Sequence, residues 1–181
     1  MSSRKKPQVP HLTVVPDLNK FGFVLLPLEG KKPIVKRWNT LTATPDKLFV
    51  FEGRNIGILT GRPSGLTVLD IDVKDDGMTI WNNISTSYPA FNTPIATTPN
   101  GGIHIYFQYN KHLHSFSRFK LRDRNIGWDL LNDDRLVVAP PSIHPKTNKK
   151  YKWIVSPHST KVAPMPKWLE SYLINVKSIS K

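Results

Sequence analysis

The sequence predicts an α+β fold, and three observations carry that expectation. Short β-rich segments outnumber helical ones. The helical segments interrupt them irregularly, and no internal repeat or long linker divides the 181 residues. Helices covering a mainly antiparallel sheet satisfy that pattern. A chain of this length suits one domain, or one domain of two lobes, and buries well over half of its unfolded surface.

The elements follow in order. Residues 1–10 are polar and basic and read as a disordered arm. Residues 177–181 read as a tail, which leaves 11–176 as the domain proper. Residues 21–28 are apolar and extended, a strand, and Gly30-Lys31-Lys32-Pro33 breaks it on the way to Trp38. Thr44-Pro45-Asp46 has the form of an N-cap followed by proline at the first helical position, so a short helix is expected to about Glu52. Residues 55–59 and 66–73 are β-rich, separated by the turn Thr60-Gly61-Arg62-Pro63-Ser64-Gly65. Residues 78–88 have helical spacing, with Ile80, Trp81 and Ile84 on one side. Further strands are expected at 95–98, 103–109, 127–131, 136–139 and 151–155, with a polar turn at 146–150. Pro166 opens a final helix, in which Trp168, Leu169, Tyr172, Leu173 and Val176 form a packing face.

Composition narrows the function classes. Hydrophobic residues make up 39% and aromatic residues 10%, which argues against global disorder. Cysteine is absent, so no disulfide framework or thiolate metal site is available, and an intracellular setting is expected. No apolar run approaches the length of a bilayer span, and the first residues lack a secretory pattern. The formal net charge of +13 favours a polyanionic partner. No basic amphipathic helix supports a membrane surface, so nucleic acid is the expected partner.

The chemistry concentrates in Leu69-Asp70-Ile71-Asp72-Val73. On a strand, Leu69, Ile71 and Val73 would face a core, and Asp70 and Asp72 would share the other face, their Cα atoms roughly 6.5–7 Å apart. Aspartate is disfavoured in strands, and two carboxylates this close resist joint ionisation. A divalent cation between them resolves the conflict, and magnesium typically completes its shell with water and substrate phosphates. The pair therefore reads as a metal site for nucleotide phosphates. The other reading is a solvated loop shared with Lys74, Asp75 and Asp76. Downstream, Thr97-Thr98-Pro99-Asn100-Gly101-Gly102 is a tight turn before Ile103-His104-Ile105-Tyr106-Phe107. There Ile103, Ile105 and Phe107 share one face, and His104 and Tyr106 the other. His104 is placed either to donate to a phosphate or to rest as an ordinary surface histidine. In Gly127-Trp128-Asp129-Leu130-Leu131, Trp128 and Leu130 face the core and Asp129 the opposite side, a half-exposed strand residue or a third carboxylate.

Taken together these segments resemble a known family. Asn55-Ile56-Gly57-Ile58 with Thr60-Gly61, the Asp70–Asp72 strand, Gly101-Gly102-Ile103-His104-Ile105-Tyr106-Phe107, Trp128-Asp129, Val137-Val138-Ala139-Pro140-Pro141-Ser142-Ile143-His144 and Tyr151-Lys152-Trp153 are similar, in order and spacing, to the bifunctional primase-polymerase N-terminal domain of the archaeo-eukaryotic primase superfamily. Gly30-Lys31-Lys32-Pro33 and Trp38 resemble its opening segment. The resemblance covers roughly residues 18–155. It implies a primase-polymerase core, with an RRM-like, mainly antiparallel sheet carrying the site and a smaller α/β lobe beside it. It implies a template-dependent nucleotidyltransferase that extends or starts a primer. Two divalent metals, Mg2+ or Mn2+, would be held by Asp70, Asp72 and Asp129, with His104 on the phosphates of the incoming nucleotide. Lys31, Lys36, Arg62, Ser142 and His144 are further candidates for nucleotide binding. The implied partners are a single-stranded DNA template and primer, nucleoside triphosphates and a replicative helicase. The implied setting is replication of a virus, phage or plasmid.

Two rivals stand beside it. His112-Leu113-His114 matches the His-hydrophobe-His metal motif of rolling-circle nucleases, with Tyr151 or Tyr172 as nucleophile. A non-catalytic DNA-binding replication module would also satisfy the charge.

Overall fold

Alternation of side chains along the central strands decides the layering, because both of their faces carry apolar residues. The structure is a computed structural model that describes residues 11–46, 48–121 and 124–178. Its elements are α1 (His11–Asn19), β1 (Leu25–Glu29), β2 (Lys32–Pro33), β3 (Asn55–Leu59), β4 (Leu66–Ile71), α2 (Gly77–Ser85), β5 (Ile95–Thr97), β6 (Ile103–Gln108), β7 (Phe119–Leu121), β8 (Arg124–Ile126), β9 (Trp128–Leu131), β10 (Leu136–Ala139), β11 (Lys152–Val155) and α3 (Lys167–Ser178). Short 3-10 turns fill connections at Trp38–Thr40, Leu48–Phe51, Arg62–Ser64 and Lys74–Asp76.

The ladders between these strands are antiparallel. They form a five-stranded sheet in the order β11-β5-β6-β4-β9, a four-stranded sheet in the order β10-β3-β1-β2, and the hairpin β7-β8. The α+β expectation holds, with the five-stranded sheet as the principal one and the four-stranded sheet with α1 beside it.

One face of the five-stranded sheet presents Leu69, Ile71, Ile105, Phe107, Trp128 and Leu130 to Trp81 of α2, Leu169 and Leu173 of α3, and Phe119 and Ile126 of the hairpin. The alternate residues Leu66, Val68, Ala96 and Tyr106 meet Leu25, Ile56, Ile58, Val137 and Ala139 of the second sheet, together with Val15 and Leu18 of α1. Each such fully buried aliphatic side chain contributes about 1.5–3 kcal/mol. A third cluster, including Leu26, Leu28, Leu59 and Tyr151, packs with Trp38 and Leu41. No helix among the described residues is long and apolar enough to cross a membrane.

Several boundaries differ from expectation, each for a local reason. The first strand begins at Leu25, not at residue 21, because Gly22 has φ +80° and Phe21 is exposed. The helix expected to Glu52 is one 3-10 turn ending at the buried Phe51. The strand expected over 66–73 stops at Ile71, and Val73, expected in the core, is 53% exposed. The helix expected over 78–88 ends at Ser85. Besides the two-residue β2, where a break was expected, α1 and one hairpin were not expected. Pro16 inside α1 removes a helical N–H and obscured a periodicity that nonetheless buries Val15 and Leu18. The hairpin β7-β8 hid behind its charges, although Phe119 and Ile126 are buried register partners. The arm at 1–10, residues 179–181 of the tail, and the side chain of Val176 lie outside the described residues.

Candidate active site

Strand register brings the acidic residues together. Asp70 of β4 is paired with His104 of β6 on one side and with Asp129 of β9 on the other. Directly paired residues project from the same face, with Cβ atoms about 4.5–5.5 Å apart. A single row therefore reads His104, Asp70, Asp129 across three strands. The face it occupies is the one that packs on the second sheet, so both faces of β6 are covered and His104 is 4% exposed.

The row is under electrostatic strain. His104 Nε2 lies 3.5 Å from Asp70 Oδ1. Asp70 Oδ1 and His104 Nδ1 are both buried, and neither has a hydrogen-bond partner among the described residues. Buried polar atoms left in that state cost about 1–3 kcal/mol each, and native proteins rarely tolerate them without a water, ion or ligand. Desolvation pushes the carboxyl of Asp129 above its usual value. The Arg118 backbone N–H, 2.7 Å from Asp129 Oδ1, pulls it back, and the Asp70 charge adds to the rise.

Asp72 joins the row from outside the strand. Its side chain is exposed, yet its carboxyl is also pushed up, first by desolvation and then by Asp70 and Asp129, while Lys31 and His104 draw it down. Backbone contacts fix its place. Asp72 N–H donates to Gly127 O at 2.7 Å, and Asp72 O accepts from Met78 N–H at 3.0 Å. Three glycines surround it. A Cβ on Gly102 would meet Ile71 O and come within 3.2 Å of Asp72 Cα. One on Gly77 would meet Asp72 O, and one on Gly127 would meet Lys74 O. Only backbones without side chains approach this closely. Asp75 and Asp76 complete the turn with φ of 51° and 54°. Asp76 is tied to the hairpin through an ion pair with Arg124.

A cleft of about 190 Å³ opens over Asp70 and His104, lined also by Lys31, Tyr151, Leu131 and the β10 residues 136–138. Tyr151 stacks on the His104 ring with centroids 5.7 Å apart and planes at 29°. Burial, then the charges of Asp70 and Asp72, hold its phenol well above the ordinary value, so it stays protonated. Lys31 is an exposed residue in the turn between β1 and β2. That turn is anchored by Asn55, whose Nδ2 donates to Gly30 O (2.8 Å) and to Ile143 O (2.7 Å).

The remaining candidates are spread around this centre. Lys36 and Arg62 are exposed and do not line the cleft. Ser142 is fully buried: its Oγ accepts the Ile56 N–H at 2.9 Å and donates to Ile56 O at 3.2 Å, clamping its segment to β3. Ser142→Ala would strand both backbone groups. A loss of about 1–3 kcal/mol is expected, read as a lower denaturation midpoint with an unchanged denaturant slope. A raised nucleotide KM would be the mark of the binding role expected from sequence. His144 is buried, its Nδ1 accepting from Lys146 N–H and Thr147 N–H, both at 3.3 Å. Desolvation, then Lys31 and Lys146, hold its imidazole below the ordinary value. His112 and His114 are exposed in a loop around the buried Leu113, while Tyr172 packs against Trp128 and Phe119. The nuclease arrangement is thus not assembled among the described residues.

From sequence, Tyr151 was nominated only as a nuclease nucleophile and Gly102 only as part of a tight turn, while Asn55, Gly77 and Gly127 were given no place in the site. An aromatic residue between lysines at the start of a strand was the available sign for Tyr151. Nothing local marks Gly77 and Gly127, because the backbone each one meets is distant in sequence or lies across the turn.

Among the described residues no three His, Asp or Glu side chains converge into a ready-made metal cage. The donor set nevertheless fits a hard divalent cation in its chemistry: carboxylates only, mutually repelling, with one buried oxygen unpartnered. No curated protein matches the chain. The family described as bifunctional DNA primase/polymerase, N-terminal, matches residues 17–168, spanning the row, the cleft and both sheets. The chain belongs to that primase/polymerase family.

Proposed function

We propose that this domain joins nucleotides on a DNA template, using the row Asp70–Asp129 with Asp72 and His104 as its reacting centre. The observation that carries the reading is the buried Asp70 oxygen, without a hydrogen bond, set in register between Asp129 and His104. Asp70, Asp72 and Asp129 would hold two divalent cations, Mg2+ or Mn2+, which when bound supply charge neutralisation and Lewis acidity to phosphoryl transfer.

Phosphoryl transfer depends mainly on positioning and on offsetting negative charge. Lys31, poised at the cleft, presents an ammonium to the triphosphate. His104 offers an imidazole N–H to a phosphate oxygen, and the stacked Tyr151 ring restricts its rotation. The apolar wall from β10 limits water over the row. The primer 3′-oxygen then bonds to the α-phosphorus, pyrophosphate leaves, and the hydroxyl proton passes to solvent.

Lys31→Ala is expected to raise the nucleotide KM roughly tenfold, as one charge-assisted hydrogen bond to the triphosphate disappears. Primer extension with labelled nucleotides, with and without divalent cation, tests the whole reading. Metal-dependent extension supports it. A covalent tyrosine–DNA adduct would support the nuclease instead, and DNA binding with no incorporation under any metal would leave a binding module. A replicative helicase partner and a viral, phage or plasmid replicon complete the proposal on family grounds.

A further inference from the structure

The carboxylate row ends at β9, the last strand of its sheet. Along the outer edge of β9 runs the segment at Phe116, bonded to Leu130 in both directions at 3.0 and 2.9 Å. Two residues on, Arg118 turns into the left-handed region with φ 56° and points its N–H at Asp129 Oδ1. A non-glycine residue holds that conformation only where its surroundings enforce it. Here the enforcing contact is to a carboxylate of the reacting row itself. Arg118 leads into β7, where Lys120 is exposed. Arg135, also exposed, sits just before β10 and accepts the Thr60 N–H on its carbonyl at 2.9 Å.

These three cations share two properties. None forms a side-chain ion pair among the described residues, whereas Arg124 of the same hairpin is paired with Asp76. None lines the cleft that holds Lys31, Asp70 and His104. Arg118 reaches Asp129 through its backbone N–H, and Arg135 lies in the short turn that leads from β9, the strand of Asp129, into β10. Exposed cations beside a carboxylate row, outside the cleft, favour an anion that runs past the row without entering it. The cleft, at about 190 Å³, is on the scale of the reacting end of a nucleotide.

We propose that Arg118, Lys120 and Arg135 form a phosphodiester-binding edge along β9, which lays the primer–template backbone beside Asp129 while Lys31 serves the triphosphate. This rests on the polymerase reading above. It adds a separation of the two phosphate-bearing substrates onto two cation sets.

The test measures binding of a fluorescent primer–template by anisotropy across a salt series, alongside nucleotide KM. For the double variant Arg118→Ala/Arg135→Ala, the expected result is roughly tenfold weaker DNA binding and a salt slope shallower by about two units, one for each phosphate no longer neutralised. Nucleotide KM at saturating primer–template should stay within about twofold of wild type, and Arg118→Lys/Arg135→Lys should recover most of the affinity, since phosphate binding needs charge more than fork geometry. Unchanged DNA affinity and slope in the alanine variant would overturn the proposal. So would a raised nucleotide KM with DNA binding intact, which would assign these cations to the triphosphate. Wild-type protein that binds DNA through this edge yet extends no primer would sink the polymerase reading and leave the edge standing.

Discussion

Asp70→Asn is expected to abolish nucleotide incorporation while making the metal-free protein more stable. The loss should exceed about 10³-fold, because several kcal/mol of transition-state charge stabilisation disappear with the central carboxylate. The gain follows from the sign of the shifts on its neighbours. Asp72 and Asp129 both carry carboxyls raised above the ordinary 3.8 in the folded protein. Between that value and the raised one, the native state binds more protons than the unfolded chain, so stability falls as pH rises through the window. At neutral pH the repulsion is fully present, and removing the Asp70 charge relieves part of it. A rise of about 2–4 °C in melting temperature is expected, corresponding to ~1 kcal/mol in a domain of this length. Below the ordinary carboxylate value of 3.8 the groups are protonated in both states, and the advantage of the variant should vanish. Divalent cation supplies the complementary test. At a hundredfold excess over its Kd it should stabilise wild type by about 2.7 kcal/mol at neutral pH and leave Asp70→Asn unmoved. A variant that melts lower than wild type and still incorporates nucleotides would remove the row from the chemistry.

That row was legible in the sequence because strand alternation is a local rule. Leu69 and Ile71 on one face fixed Asp70 on the other, and the same parity placed His104 and Asp129. What parity left open was register. Nothing near Asp70 says that its neighbours across the ladders are residues 104 and 129, and a slip of one residue would turn either to the opposite face. The family resemblance grouped these residues into one site but gave no register between their strands, which the ladders supply. Parity failed at Asp72, where the strand had already ended. The chain leaves the sheet because Gly77, Gly102 and Gly127 let three backbones crowd one turn, and those residues are far apart in sequence. The hairpin β7-β8 was missed for a related reason. Its few apolar residues carry a weak periodic signal among charges, and their burial depends on Trp128 and Tyr172, which only the fold brings to them.

Gly127→Ala should be strongly damaging for a change of a single methyl group. The added Cβ would collide with Lys74 O, stand 3.1 Å from the Lys74 carbonyl carbon and 3.3 Å from Asp72 Cβ. The first two of these atoms belong to backbone, so no side-chain rotation clears the site. Relief requires moving the turn at 72–77, and that turn is held by the bonds Asp72 N–H to Gly127 O and Gly127 N–H to Asp75 O at 2.7 and 3.2 Å. Overpacking of about 1–3 kcal/mol adds to roughly 1 kcal/mol for each bond disturbed. The melting temperature should fall on the order of 10 °C. Gly57→Ala provides the contrast. Its methyl would meet only the Leu28 side chain, at 3.1 Å from Cδ2, a contact that a shift of a few tenths of an ångström relieves. A smaller loss is expected there, with incorporation retained once the protein is assayed below its transition. For Gly127→Ala, incorporation should stay depressed even at temperatures where the fold is intact, because the turn that carries Asp72 has moved against Asp70 and Asp129. Equal melting temperatures and equal activities for the two variants would mean that the turn is soft, and that Asp72 takes its place beside Asp70 by some means other than this backbone contact.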